Sequence, residues 1–128
     1  MSPESSETKR WLEKATHDRK AAELAVAQTP PITDVAAFHT QRAIEKLLKG
    51  YLVFSEDPFE KIHDLDELID QCACHDMAFA EFKVRVTPIT PYAVRYRYPG
   101  PADPTVEQVH AALVVVGEVE AFVLKRVP

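Results

Sequence analysis

The chain has 128 residues, of which 46% are hydrophobic and 27% are charged, and its formal net charge is −5 at pH 7. This length and apolar content suit a globular domain with its own core and exclude an intrinsically disordered chain. The acidic balance argues against a protein that coats nucleic acid through a uniformly basic surface, although it is compatible with a local basic patch. We therefore expect residues 1–128 to form a single domain.

The sequence also lacks the signals of membrane insertion, secretion and metal binding. Its longest apolar run, residues 111–116, is far shorter than the roughly 20 residues that span a bilayer, and its polar N-terminus has no signal-peptide core. Cys72 and Cys74 are separated by one residue, which matches neither a zinc pair nor a redox motif, so both are interpreted as inert thiols. We expect a cytoplasmic protein with no membrane partner, no metal and no cofactor.

Prolines divide the chain into long segments rich in Ala, Leu, Glu and Lys, and this composition favours helices. The first helix is predicted from residues 2–6 to about Gln28, because a serine followed by a proline suits a helix start. Asp18 lies on the same face as an apolar set with helical spacing: Trp11, Ala15, Ala22, Ala25 and Val26. A carboxylate on this face requires a partner such as His39 or Arg97, unless the helix is rotated so that Asp18 lies at its rim.

The second helix, predicted from Thr33 or Asp34 to about Phe54, contains the charged stretch FHTQRAIEKLLK at residues 38–49. On a helical wheel its core arc consists of Ile44, Leu47, Leu48, Tyr51 and Leu52. The other side carries a cationic stripe formed by His39, Arg42, Lys46 and Lys49. The stripe is either a solvated face or, because Arg and Lys suit phosphate oxygens, a candidate phosphate-binding surface.

Gln41 and Glu45 lie at the edge of the apolar arc of the second helix. Polar side chains at such positions must find hydrogen-bond partners inside the protein. We therefore expect both residues to organise the interior rather than to face solvent.

The third helix is predicted from about Asp64 to about Cys74, with Asp64 and Glu67 at the spacing of a capping box. His63 precedes this cap, and the His63–Asp64 pair is interpreted either as a general base or as a structural hydrogen bond. Pro88 and Pro91 then divide a bent connector into two short helical pieces, at about 78–86 and 91–97.

Residues 92–99 combine two arginines with three tyrosines, at positions Tyr92, Arg95, Tyr96, Arg97 and Tyr98. Aromatic rings interleaved with arginine suit the stacking of a base and the binding of a phosphate. Alternatively, the tyrosines pack the end of a helical bundle while the arginines pair with Asp18 or Glu45.

The last helix is predicted to begin with Asp103 as N-cap and Pro104 at its first position, and to end near Arg126. Its main apolar stripe comprises Val106, Val109, Leu113, Val116, Val123 and Leu124. A second apolar patch, Ala111, Val115 and Phe122, lies roughly opposite. This helix is therefore expected to be buried on two sides, the second one against another copy of the chain or inside the bundle.

The sequence resembles the HEPN family of small helical-bundle proteins through three blocks in order. These are FHTQRAIEKLLKGYL at 38–52, KIHDLDELI at 61–69 and YAVRYRYPG at 92–100. In the first block the chain keeps the family residues His39, Gln41, Ala43, Glu45, Lys46, Leu48 and Lys49. It departs from the pattern at Arg42, where the family has glutamine, at Gly50, where the family has alanine, and at Ile62, where the family has threonine.

The resemblance implies an all-α fold, an antiparallel up-and-down bundle of four to five helices. It also implies a homodimer that binds nucleotide or RNA and accompanies a minimal nucleotidyltransferase in a toxin–antitoxin-like pair. Some family members are metal-independent ribonucleases with an arginine followed by four to six residues and a histidine on a late helix. Arg95 and Arg97 have no histidine at that spacing.

Three hypotheses follow from these observations. The first is a non-catalytic module that binds nucleotide or RNA beside a nucleotidyltransferase, with its phosphate-binding residues at His39, Arg42, Lys46, Lys49, Arg95, Arg97 and Tyr98. The second is a ribonuclease toxin, and the third is a structural dimeric interaction module. In the third, a buried polar network of Asp18, Gln41, Glu45 and Arg97 fixes the helix register. The full set of residues to which we assign a structural polar role is Asp18, Gln41, Glu45, His63, Asp64 and Tyr92.

Overall fold

A computed structural model of the chain describes residues 3–59, 61–95, 99–100 and 102–128, and all regular structure in these ranges is helical. The elements are α1 (Pro3–Val26), α2 (Thr33–Phe54), α3 (Leu65–Ala73), a 3₁₀ helix (Met77–Phe82), α4 (Lys83–Val86), α5 (Tyr92–Arg95) and α6 (Val106–Leu124). The predicted all-α helical bundle is confirmed. The connector begins as a 3₁₀ helix rather than as one α-helical piece, and part of its predicted second piece lies outside the described residues.

Helix α2 occupies the centre of the bundle and packs against α1, α3, α5 and α6. Its predicted core arc is buried, and its neighbours contribute further fully buried side chains. The largest of these are Leu65, Leu68, Ile69, Phe79, Val86, Val109 and Val116. Because α2 has neighbours on most sides, even its polar residues lie in or near the interior.

Helices α1 and α2 run antiparallel at close range. A Cβ atom added to Gly50 would lie 3.1 Å from Leu12 Cδ2 and 3.2 Å from Trp11 Cβ, whereas Asp18, further along α1, meets Lys46, which precedes Gly50 in α2. An alanine at position 50 would therefore press against α1. Glycine at the point where the family has alanine allows this close approach.

The N-caps of α3 and α6 are formed by local side chains. Asp64 accepts hydrogen bonds from the backbone N–H groups of Asp66 and Glu67, as the sequence predicts. For α6 the prediction of Asp103 is wrong, because Thr105 is the cap. The Thr105 hydroxyl accepts a 3.1 Å bond from Gln108 N, and Gln108 Oε1 accepts a 2.8 Å bond from Thr105 N. These two reciprocal hydrogen bonds form a capping box that satisfies two backbone N–H groups, whereas the exposed Asp103 satisfies neither of them.

Helix α6 buries Val109, Val116 and Val123 from its predicted stripe. The predicted second patch faces the same chain, since Val115 is buried and the Phe122 ring packs edge-on against Phe82 at a centroid distance of 5.1 Å. The inside-the-bundle alternative is therefore correct for these two residues. Among the described helices, none combines the length and apolar character needed to cross a membrane.

Candidate functional site

One polar cluster joins α1 to α2 around Asp18. The side chain of Asp18 is largely buried, and its Oδ1 lies 2.7 Å from His39 Nδ1 while its Oδ2 accepts a 2.5 Å hydrogen bond from Lys46 Nζ. One carboxylate thus binds two residues of the predicted cationic stripe. His39 is one of the two Asp18 partners expected from the sequence, and Lys46 is an additional one.

A second polar cluster surrounds Glu45, which is only 2% exposed. Glu45 Oε2 accepts a 2.9 Å hydrogen bond from Lys49 Nζ and lies 3.1 Å from His63 Nδ1. Burial alone raises the pKa of the Glu45 carboxyl, but the bonds from Lys49 and His63 and the nearby Arg42 charge outweigh it and hold the pKa below its ordinary value. Glu45 is therefore a buried carboxylate anion.

Lys49 lies in the interior rather than on a solvated stripe, since the residue is only 5% exposed. Besides its bond to Glu45, its ammonium lies 5.2 Å from the centroid of the Phe59 ring and 5.9 Å from that of Trp11. The two rings meet edge to face at a centroid distance of 5.5 Å. This cation–π environment and the Glu45 carboxylate explain how the interior holds the charge of Lys49.

Gln41 is fully buried beside the Glu45 cluster. Its Nε2 donates to the His63 carbonyl oxygen at 3.0 Å and to Glu45 Oε1 at 3.3 Å. Because both partners are acceptors, the opposite orientation of the amide is excluded. The Gln41 Oε1 atom is buried and has no hydrogen-bond donor among the described residues, so a buried acceptor adjoins this cluster.

The Glu45 cluster borders a cavity of about 340 Å³, lined by Phe38, Arg42, His63, Ala93 and Val94. Arg42 contacts Glu45 Oε1 only at 3.7 Å, because Lys49 and His63 make the closer bonds to this carboxylate. The guanidinium carbon of Arg42 lies 5.9 Å from the centroid of the Phe38 ring. The His63 side chain is 59% exposed. The cavity therefore presents a cation, an imidazole and an aromatic ring to a ligand.

The remaining predicted site residues lie around or beyond this cavity. Asp64 is engaged as the N-cap of α3, so the aspartate beside His63 is not its partner; Glu45 is. Tyr92 is buried at the beginning of α5, and Arg95 is exposed at the end of the same helix. Arg97 and Tyr98 lie outside the described residues.

Two aromatic residues that contact the polar clusters, Phe38 and Phe59, were not predicted from the sequence. Phe38 adjoins His39 in the charged stretch. Because it precedes Arg42 by four residues, both side chains lie on one face of α2, and this spacing could have indicated a cation–π pair. Phe59 lies in the loop between α2 and α3, where no periodicity indicates its contact with Lys49. No group of three or more potential metal ligands occurs in the described ranges.

The architecture is that of an all-helical bundle whose central helix takes part in two polar clusters, centred on the carboxylates of Asp18 and Glu45, and the Glu45 cluster borders an open cavity. The family model for the HEPN domain matches residues 8–127, and the chain belongs to that family. It is thus a member of a class of nucleotide- or RNA-related modules. No curated protein and no solved structure matches the chain.

Proposed function

We propose that the cavity beside Arg42 and His63 binds the phosphate and base of a nucleotide or of single-stranded RNA. The observation that carries the proposal is the position of Arg42, which lines the cavity while the closer bonds to Glu45 come from other residues. A guanidinium with such a loose intramolecular contact has N–H groups available for phosphate oxygens. The adjacent Phe38 ring offers a face for stacking a base.

The other predicted phosphate-binding residues have different roles in this proposal. Lys46 and Lys49 already have carboxylate partners at 2.5 and 2.9 Å, so in this proposal they shape the site rather than contact phosphate. Arg95, at the end of α5 two residues after Ala93 of the cavity wall, is retained as a phosphate ligand. His39, whose Nδ1 lies 2.7 Å from Asp18 Oδ1, likewise shapes the site in this proposal, while Arg97 and Tyr98 remain part of the proposed binding surface.

The wider proposal is a non-catalytic cytoplasmic partner of a nucleotidyltransferase in a toxin–antitoxin-like pair of a prokaryote. The family membership and the two free cysteines support it. Its test is whether the neighbouring reading frame encodes a nucleotidyltransferase and whether the two proteins co-purify after co-expression. A neighbouring frame of another class, together with failure to co-purify with any nucleotidyltransferase, would refute the partnership but not ligand binding.

Ligand binding is tested by thermal melting with ATP and GTP and by fluorescence anisotropy with a labelled oligoribonucleotide at several salt concentrations. A ligand at ten times its dissociation constant stabilises the folded state by about 1.4 kcal/mol, which a melting curve resolves. Arg42→Gln should reduce the effect, whereas Arg85→Gln, which removes the same charge from an exposed pair with Glu118 outside the cavity wall, should not. Unchanged melting with every ligand, or equal losses in both variants, would refute the site.

One observation favours a second candidate, an endoribonuclease. Because Glu45 accepts from His63 Nδ1, the neutral imidazole has its other nitrogen, Nε2, as a proton acceptor on an exposed ring beside Arg42. A histidine oriented by a carboxylate beside a cation is suited to general acid–base chemistry on RNA. RNA cleavage by the purified protein that His63→Ala abolishes, with the fold retained by circular dichroism, would establish this candidate over the non-catalytic one.

A further inference from the structure

A second open cavity lies on α1 and shares no residue with the proposed ligand cavity beside Arg42. It has a volume of about 260 Å³ and is lined by Glu7, Arg10, Trp11 and Lys14. Because these residues follow one another at steps of one to four positions that return to the same side, they share one face of α1. Trp11 is partly exposed, so an aromatic ring and two cations line this cavity.

The two cations of this cavity wall have no role in holding the fold together. In the part of the chain that the structure describes, the side chains of Arg10 and Lys14 have no hydrogen-bond or ion-pair partner, whereas Arg85 and Arg126 pair with carboxylates. Like charges one helical turn apart destabilise a helix slightly. The N–H groups of Arg10 and Lys14 are therefore available to an anion from outside the chain.

The face of α1 that carries this cavity borders the cationic stripe of α2. Lys14 lies three residues after Trp11 and four before Asp18, so the three side chains lie on one side of α1. Asp18 binds Lys46 of the stripe through its Oδ2. Lys14 and Arg10 therefore extend the cationic surface of α2 onto the neighbouring helix.

A short series of contacts connects Trp11 with the proposed ligand cavity. Lys49 Nζ lies 5.9 Å from the centroid of the Trp11 ring and 2.9 Å from Glu45 Oε2, and the same oxygen lies 3.1 Å from His63 Nδ1. Together these distances set an upper limit of about 12 Å between the Trp11 ring and the His63 nitrogen. Since a stacked strand advances about 3.4 Å per nucleotide, about four nucleotides reach from one to the other.

A third cavity, also adjoining Trp11, has the opposite charge. Its volume is about 520 Å³, and its wall includes the carboxylates of Glu56 and Asp57 beside the Phe59 ring. Carboxylates repel phosphate groups. A polynucleotide that reaches Trp11 is therefore directed to the side of Arg10 and Lys14.

We propose that Arg10, Trp11 and Lys14 form a second subsite for single-stranded RNA, in which a base stacks on Trp11 and the two cations bind adjoining phosphates. The inference rests on the proposed function, because the same strand occupies the cavity beside Arg42. Once that cavity holds one end of the strand, the following nucleotides have a high effective concentration at Trp11. A polynucleotide, rather than a free nucleotide, is thus the ligand that contacts the whole surface.

The fluorescence of Trp11 tests the proposal, because the chain has no other tryptophan. An oligoribonucleotide of about 12 residues is expected to quench it by stacking, whereas ATP and GTP in the cavity beside Arg42 should not. The double variant Arg10→Gln/Lys14→Gln should weaken oligonucleotide binding about tenfold and reduce the salt dependence by about 1.4 in logarithmic slope. Lys20→Gln/Arg85→Gln removes the same kinds of charge from exposed positions outside both cavities and should change neither.

The results separate this subsite from the cavity beside Arg42. If Arg10→Gln/Lys14→Gln binds the oligonucleotide as tightly as the wild type, or if the oligonucleotide binds without changing Trp11 fluorescence, the subsite is refuted. The cavity then stands as long as Arg42→Gln weakens binding of ATP or GTP. Quenching that survives in Arg42→Gln and is lost in the double variant supports the subsite and refutes the cavity. A wild type that binds neither nucleotide nor oligonucleotide refutes both.

Discussion

Lys46 Nζ in α2 donates a 2.5 Å hydrogen bond to Asp18 Oδ2 in α1, and this bond ties together the two longest helices of the bundle. The same carboxylate lies 2.7 Å from His39 Nδ1. Two charged or strongly polar donors converge on a largely buried acceptor, so its removal leaves both without their partner.

Asp18→Asn is therefore expected to lower the free energy of unfolding by about 2 kcal/mol, because it weakens two charge-assisted bonds at a partly buried site. Urea denaturation at neutral pH measures the change. Asp70→Asn is the control, since Asp70 pairs with Lys83 on the surface at 2.9 Å and should change stability little. Equal effects of the two substitutions would contradict the structural importance of the Asp18 cluster.

The Glu45 carboxylate is expected to make a contribution to the stability of the fold that is lost in acid. Its folded-state pKa lies below the ordinary value of 4.5, so its stabilisation is fully present above that value and is lost as the pH falls through the lower folded-state pKa. Urea denaturation from about pH 6 to about pH 3 should show a smaller loss of stability in Glu45→Gln than in the wild type. At neutral pH the variant should be less stable by about 3 kcal/mol, because Lys49 keeps its buried charge without a carboxylate.

The acid-induced loss in the Glu45→Gln variant should be reduced rather than abolished. Asp57, Asp76 and Glu118 also have lowered pKa values, through hydrogen bonds from His75, Arg126 and Arg85 respectively. If the stability of Glu45→Gln falls with decreasing pH as steeply as that of the wild type, protonation of Glu45 does not contribute to the acid-induced loss of stability.

The cap of α6 provides a direct comparison between two neighbouring residues. Thr105→Ala should lower the free energy of unfolding by about 1 kcal/mol, because it removes the hydroxyl that accepts from Gln108 N at 3.1 Å. Asp103→Ala should have little effect, since the side chain is exposed and precedes the cap. Thermal or urea melting of the two variants measures the difference, and a larger loss from Asp103→Ala would restore the cap assignment made from the sequence.

The two cysteines are expected to differ in reactivity. Cys72 is buried, and burial raises the pKa of its thiol, whereas Cys74 is exposed with its Sγ 3.4 Å from the Asp70 carbonyl oxygen. A thiol-specific chromogenic reagent should therefore label Cys74 rapidly and Cys72 only on unfolding. Cys74→Ser should abolish the rapid phase, and a rapid phase that survives in Cys74→Ser would indicate that the packing around Cys72 opens readily.

Most of the fold was predictable because its signals are local. Prolines and caps define the ends of α1, α2 and α3 to within about two residues, and the apolar spacing identifies the core face of α2. The N-terminus of α6 was misplaced because Asp103–Pro104 and Thr105–Gln108 are both plausible starts, and only the folded geometry shows which side chain reaches the backbone donors.

The site was less predictable because a helical wheel gives angles along one helix but no neighbours. His39, Arg42, Lys46 and Lys49 share one side of α2, as the sequence predicted. Whether that side meets water, a carboxylate of α1 or an aromatic ring of a loop depends on tertiary contacts that spacing does not encode. The inward role predicted for Gln41 and Glu45 remains consistent with their burial.

The position of Lys49 has a consequence for the order in which the chain acquires structure. Its charge is accommodated by Glu45 in the same helix, by Trp11 in α1 and by Phe59 in the loop after α2. Closing the loop and docking α1 are therefore steps of one cooperative event, since either alone leaves the ammonium without part of its surroundings. Amide hydrogens around residue 59 should therefore exchange only as fast as the whole bundle unfolds. A loop such as the one between α2 and α3 would ordinarily exchange faster, by opening on its own.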